Sequence, residues 1–244
     1  MEVSGPHFAG VSIRMDNSIS SPAGSAGQPE GAATHKREGA WAFAHALLFT
    51  GHMIDQAGRE HARFPASVES RARNAIRDAI MAIAWAHPGT TIALAGAASG
   101  GDLLFHECCE ETGIRTMVLL ALPRDEFEAA SVAPAGPGWV RRYRALLERT
   151  APDRLHVMEG RDGLLEGATD NVWQRANLWM IEKASALAPE RALLALWDGK
   201  SGDGPGGTEH FLQVARQCGV RILPVIPMEA ISAEARAAHG RVGE

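Results

Sequence analysis

Hydrophobic and polar positions fall into an alternation that begins near residue 46 of the chain. Ala46 to Thr50 is a short apolar run ending at Gly51-His52, and a polar loop follows to Pro65. Val68, Ala72, Ile76, Ile80 and Ile83 then recur at helical spacing, which predicts a helix to about Ala86, capped by Ser67 and stopped at His87-Pro88-Gly89. Thr91 to Ala95 reads as a second strand, and a helix from about Gly100 to Thr112 follows it. Thr116 to Leu122 is a third strand. Short helices are expected over Asp125 to Val132 and Trp139 to Thr150, separated by Gly136-Pro137-Gly138. The remainder reads as strand Arg154 to Met158, helix Thr169 to Leu187, strand Arg191 to Trp197, helix Gly207 to Cys218, strand Val220 to Ile226 and a last helix over Met228 to Ala238. Near-continuous apolar strands between amphipathic helices indicate a parallel sheet covered on both faces. The expected fold is therefore α/β, a Rossmann-like three-layer sandwich with a mostly parallel sheet of about six strands.

Residues 1–40 lack this alternation. Gly, Ser, Pro and Ala dominate there without a sustained period, so the segment is expected to be a disordered tail, with one domain over 41–244. It has no apolar run followed by a small-residue cleavage site, so no secretory signal is read. Three cysteines, two of them adjacent (Cys108, Cys109), make a poor disulfide framework, which points to a reducing, cytoplasmic setting. The net charge of −5 argues against broad nucleic-acid binding, where Lys and Arg must neutralise phosphates. No apolar stretch is long enough to span a membrane.

Ligands of such sheets bind beyond the carboxyl ends of the strands. Two glycine-rich loops fall there. Gly96-Ala-Ala-Ser-Gly-Gly-Asp102 leads into a helix whose N-terminal N–H groups can meet an anion, with Ser99 able to cap the helix or donate to phosphate. Asp102, in the first turn, complements the helix dipole or accepts from ribose hydroxyls. Asp198-Gly-Lys-Ser-Gly-Asp-Gly-Pro-Gly-Gly-Thr-Glu209 opens another helix and offers backbone N–H groups, the Thr208 hydroxyl and Lys200 to a phosphate. It is not a Walker A sequence.

Other polar residues have two readings each. Asn177 lies on the apolar face of its helix and either caps a strand-end carbonyl or reaches the ligand. Arg175 meets a phosphate or a surface carboxylate. Arg59 and Arg63 can cover a ligand from above. His52, Asp55 and His61 match no zinc spacing, so no metal is expected. Val140, Tyr143 and Leu147 make an inward stripe, leaving the neighbouring arginines on the solvated face. Cys108 and Cys109 read as core.

Gly96–Asp102 paired with Pro205-Gly-Gly-Thr-Glu209 resembles the SLOG superfamily, Rossmann-like nucleotide-binding domains that include Smf-type DNA-processing proteins and the Lonely Guy enzymes. Phe49-Thr-Gly-His52, Arg63-Phe-Pro65, Trp139 with Arg142, Arg175-x-Asn177-x-Trp-Met180 and Leu196-Trp-Asp-Gly199 resemble a bacterial, stand-alone sensor-type branch. The resemblance runs from about Phe49 to Ile226. It implies a nucleotide or NAD-derived ligand between the two loops, with no cofactor required. Its expected binding residues are Gly51, His52, Arg63, Gly96, Ser99, Gly100, Gly101, Asp102, Arg175, Asn177, Asp198, Lys200, Gly204, Gly206, Gly207 and Thr208. Phosphate would rest on Gly206, Gly207 and Thr208. Beyond the small-molecule ligand, the expected partners are further copies of the chain in a homo-oligomer or a separate signalling effector. Lonely Guy enzymes cleave the N-glycosidic bond of nucleoside monophosphates through a Pro-Gly-Gly-x-Gly-Thr motif. The loop here is shorter by an x-Gly pair, so Glu209 directly follows the threonine. The hydrolase alternative would use Glu209 or Glu107. A third reading is single-stranded DNA binding, as in Smf-type proteins.

Overall fold

A computed structural model describes residues 41–160, 171–201 and 204–232; the expected tail over residues 1–40 lies outside them. The elements are β1 (His45–Gly51), α1 (Glu69–Ala86), β2 (Thr91–Ala95), α2 (Gly101–Glu111), β3 (Arg115–Leu120), α3 (Arg124–Ser131), α4 (Pro137–Arg149), β4 (Leu155–Val157), α5 (Val172–Leu187), β5 (Glu190–Trp197), α6 (Thr208–Gln217), β6 (Arg221–Ile222) and β7 (Ile226–Pro227). The sheet order is β4-β3-β2-β1-β5-β6, with β7 also on β5, and every strand pairing is parallel. The α/β sandwich expected from the alternation is what forms.

The strands are apolar because both faces are covered. All five residues of β2 are buried, and so are Ala46 to Phe49 of β1. Right-handed crossovers running in opposite directions from β1 place helices on opposite faces. α1, α2 and α4 pack on one face, α5 and α6 on the other. Between β1 and β5, paired from His45↔Glu190 to Gly51↔Leu196, the strand order reverses. Open α/β sheets place ligand crevices beyond the strands' carboxyl ends at such a reversal.

Several details depart from expectation. Ser67 caps nothing: a 3-10 turn occupies Ala66–Val68, and α1 starts at Glu69 without a side-chain cap. The sixth strand is split. Pro224 lacks an N–H and interrupts the ladder, leaving β6 and β7 as two short pieces on β5. In α4 the buried stripe is Trp139, Tyr143 and Leu146, with Val140 and Leu147 only half-buried. A helix begins at Met228 and is described to Ser232; its expected end at Ala238, like the expected start of α5 at Thr169, lies outside the described residues. No helix among the described residues is long and apolar enough to cross a membrane.

Candidate functional site

A cavity of about 780 Å³ opens at the carboxyl ends of the strands, beside the point where the strand order reverses. Its walls come from seven places in the sequence. The end of β1 contributes Phe49 to Ile54, and the α2 loop contributes Gly96, Ala98 and Asp102. β3 and its exit give Leu119 and Ala121; α3 gives Phe127, Ala130 and Ser131. α5 gives Trp173, Ala176, Asn177 and Met180, and the α6 entry gives Pro205 to Thr208 with Phe211. Gln56 to Arg59 close one side.

The α6 entry is built for close approach. Gly206 has φ +95°, and a Cβ there would collide with Trp173 Cβ and sit 2.8 Å from the Gln174 nitrogen. Only glycine lets this loop lie on α5. The Asn177 amide donates to Gly206 O at 2.9 Å and to His210 Nδ1 at 3.1 Å. Burial lowers the His210 pKa, which keeps that ring nitrogen available as an acceptor. Asn177 therefore fixes the loop while lining the cavity, combining both of its expected roles. The N–H groups of Thr208, Glu209 and His210 have no intrahelical acceptor, as at any helix start.

The α2 loop is clamped from both sides. Gly100 has φ +99°, and a Cβ there would collide with the backbone of Ile54. Gly101 N–H donates to His52 O at 3.0 Å, and Ile54 N–H donates to Ser99 O at 3.1 Å. These two glycines and Ser99 do not line the cavity. The expected Ser99 cap is absent: its hydroxyl is buried without a partner among the described residues. Behind the loop, His106 Nε2 lies 2.8 Å from Gly96 O. Burial holds its pKa down to about 4, so the ring is neutral and donates that bond.

Asp102 is the one carboxylate among the cavity-lining residues. Its Oδ2 accepts from the Ala98 N–H at 3.3 Å. Gly96 leaves room for it, since a Cβ there would come within 2.6 Å of Oδ2. Burial pushes its pKa up to about 7, against the opposing pull of the Ala98 N–H. The residue as a whole retains some accessible surface.

The loop 52–65 forms a strap beside the opening. Asp55 closes its base, accepting from the N–H groups of Arg63 and Phe64 at 2.9 Å each. Arg63 donates twice to Asp198, at 2.9 and 2.8 Å, and once to Lys200 O at 2.9 Å. His52 Nε2 lies 3.0 Å from Asp198 Oδ1 and 3.1 Å from the Asp198 backbone nitrogen. Protonated, it donates to the carboxylate; unprotonated, it accepts from the N–H. Burial would raise the Asp198 pKa, but Arg63, the Lys200 N–H and His52 together hold it well below the usual carboxylate range.

Of the expected binding residues, the structure brings Gly51, His52, Gly96, Asp102, Asn177, Gly206, Gly207 and Thr208 to the cavity. Arg63 and Asp198 are engaged with each other outside its wall. Arg59, which the resemblance does not include, lines it, and Arg63 does not. Lys200, Gly204 and Glu209 border a separate recess of about 100 Å³ on the far side of the loop, and Lys200 pairs with Glu229 at 2.5 Å. Arg175 is turned away, with one nitrogen 3.4 Å from Gly160 O. Glu107 is far from a reacting position: it takes two bonds from Arg142, at 2.8 and 2.6 Å, and Arg142 also reaches Glu69 at 2.7 Å. Phe127, Ser131 and Trp173 are lining residues that the sequence does not single out as binding residues, while Met180 belongs to the resembling Arg175-x-Asn177-x-Trp-Met180 motif. Among the described residues no group of three or more His, Cys, Asp or Glu can hold a metal ion. No protein family, curated protein or solved structure matches this chain.

Proposed function

We propose that this chain binds a nucleotide or an NAD-derived metabolite in the cavity and serves as a sensor of it, in keeping with its resemblance to SLOG domains. The observation that carries the reading is one cavity wall made of Gly206, Gly207 and Thr208 at the start of α6. A helix start supplies unpaired N–H groups and a partial positive charge to a phosphate. On the same cavity, Phe49, Phe127, Trp173 and Met180 offer a largely apolar surface for a base or nicotinamide ring. A mostly apolar cavity with few convergent polar groups suits a small ligand. Binding is favoured over N-glycoside cleavage by Glu107 or Glu209, because neither carboxylate lines the cavity.

Thermal stability against a panel of AMP, GMP, NAD, ADP-ribose and cyclic nucleotides tests the reading. At about 100 times its dissociation constant, a true ligand adds about 2.7 kcal/mol. The expected result is a shift by one compound, recovered intact and lost in Gly207→Val. Recovery as free base and sugar phosphate would make the protein a hydrolase, and no shift from any member would refute the nucleotide reading.

A further inference from the structure

Among the described residues, the cavity wall holds an acid with no charged side chain paired to it. Asp102 is the single carboxylate among them, and its partner is one backbone N–H. The other titratable side chains on that wall are His52 and Arg59. His52 is occupied by Asp198 at 3.0 Å, and Arg59 lies 3.4 Å from Asp55 and donates to His61 O at 3.1 Å. The elements packed around Asp102 bring no other charge to the cavity. β3, α3 and α5 contribute only neutral residues to it, and α6 contributes Thr208 and Phe211, while Glu209 and His210 border the separate recess. On α2 itself, His106 is neutral and faces Gly96 O. Beyond the α2 helix start and its Ala98 N–H, no described side chain on the wall pairs with an ionised Asp102, and a ligand phosphate in the same space would add a like charge.

We propose that Asp102 engages the ligand as a neutral carboxylic acid. Above the midpoint, where Asp102 starts ionised, occupation of the cavity by a phosphate-bearing ligand then takes up one proton, and Asp102 donates it in a hydrogen bond to an uncharged acceptor, a carbonyl or ring nitrogen on the ligand's base. The inference rests on the nucleotide reading and adds a selection rule to it. The ligand carries its anion at the α6 end and a neutral acceptor at the α2 end, and it binds more tightly in acid. A ligand that instead presented hydroxyls or an ammonium group to Asp102 would favour the ionised form and release a proton. The free protein is already poised for this exchange, because burial alone brings the Asp102 midpoint to about 7.

Calorimetric titration of the full chain with ADP-ribose tests the inference. AMP is the poorer probe, since a phosphate monoester itself titrates at about pH 6. Affinity is measured about one unit below and one unit above the midpoint, and the higher-pH titration is repeated in two buffers of different ionisation enthalpy. Uptake of one proton predicts affinity about tenfold weaker at the higher pH, with close to one proton taken from buffer. Asp102→Asn, which keeps a donor and cannot ionise, should bind equally at both pH values. The buffer comparison needs only the unaltered protein, so it stands even if this variant folds poorly. Affinity that is flat with pH, or proton release on binding, overturns the Asp102 inference and leaves the nucleotide reading intact. Absence of binding at both pH values by ADP-ribose, NAD and the cyclic nucleotides alike overturns the two together.

Discussion

Replacing Arg63 with methionine removes the guanidinium that ties the strap to β5 while keeping much of the side chain's stem. Arg63 is 12% exposed and Asp198 6%, and two bonds of 2.8 and 2.9 Å join them. Losing one member of a buried pair costs about 3–5 kcal/mol, because the other charge remains desolvated. His52 and the Lys200 N–H still serve Asp198, which places the expected loss near the lower bound, about 3 kcal/mol. At about 2–4 °C per kcal/mol for a unit of this size, Tm should fall by about 6–12 °C. Urea denaturation at neutral pH measures the loss directly. Asp198→Asn in the same background should recover much of it, since no buried charge is then left alone. The pH dependence has a definite sign. Asp198 has a depressed pKa, so its stabilisation is complete above the unfolded-state value of about 3.9 and is lost as pH falls through the folded value. The gap between the two proteins should therefore narrow on acidification. A loss under about 1 kcal/mol would mean that the pair behaves as a solvent-screened surface contact, and the anchor argument would fail.

Asp102 carries the opposite sign. Its folded pKa of about 7 exceeds the ordinary 3.8, so its contribution to stability declines as pH rises through that interval. Asp102→Asn should gain on the unaltered protein between pH 5 and 8, by a few kcal/mol at most for a shift of about three units; denaturation curves showing a constant or shrinking difference would refute this. Gly206→Ala should lose about 1–3 kcal/mol, because the new methyl meets α5 at a positive φ. An unchanged melting curve would show that the loop can move aside. A thiol reagent should modify exposed Cys218 quickly and leave Cys108 and Cys109 untouched until unfolding, since both are buried and burial raises both thiols, Cys108 to about 11. Rapid modification of more than one thiol in the native protein would contradict the packing of α2.

Strands buried on both faces announce themselves as short apolar runs, which is why β1, β2 and β5 are legible within a residue or so. The failures have local causes. Pro224 breaks a run whose hydrophobicity alone reads as continuous, and Ser67 falls in a 3-10 turn. At the site, the glycine loops are legible because they lie between a strand's end and a helix's start. Asn177 is legible as a lone amide on an apolar face. The Arg63–Asp198 pair joins residues 135 positions apart, and no local pattern encodes it. The same holds for the exchange of Arg59 for Arg63 at the cavity, since both arginines share one polar loop and only the contact to Asp198 separates them. Glu107, named for the hydrolase alternative, lies five residues beyond Asp102, and there it faces α4 and Arg142, a contact no local pattern encodes.

The most direct test of the account is where a nucleotide touches the protein. Backbone amide resonances are followed by nuclear magnetic resonance while ADP-ribose is added to the isotope-labelled full chain. The account predicts saturable shifts concentrated at Gly206 to His210, at His52 to Arg59 and around Asp102. Saturable shifts confined to other surfaces, or no shifts from ADP-ribose, NAD, AMP, GMP or cyclic nucleotides added in turn, would contradict it.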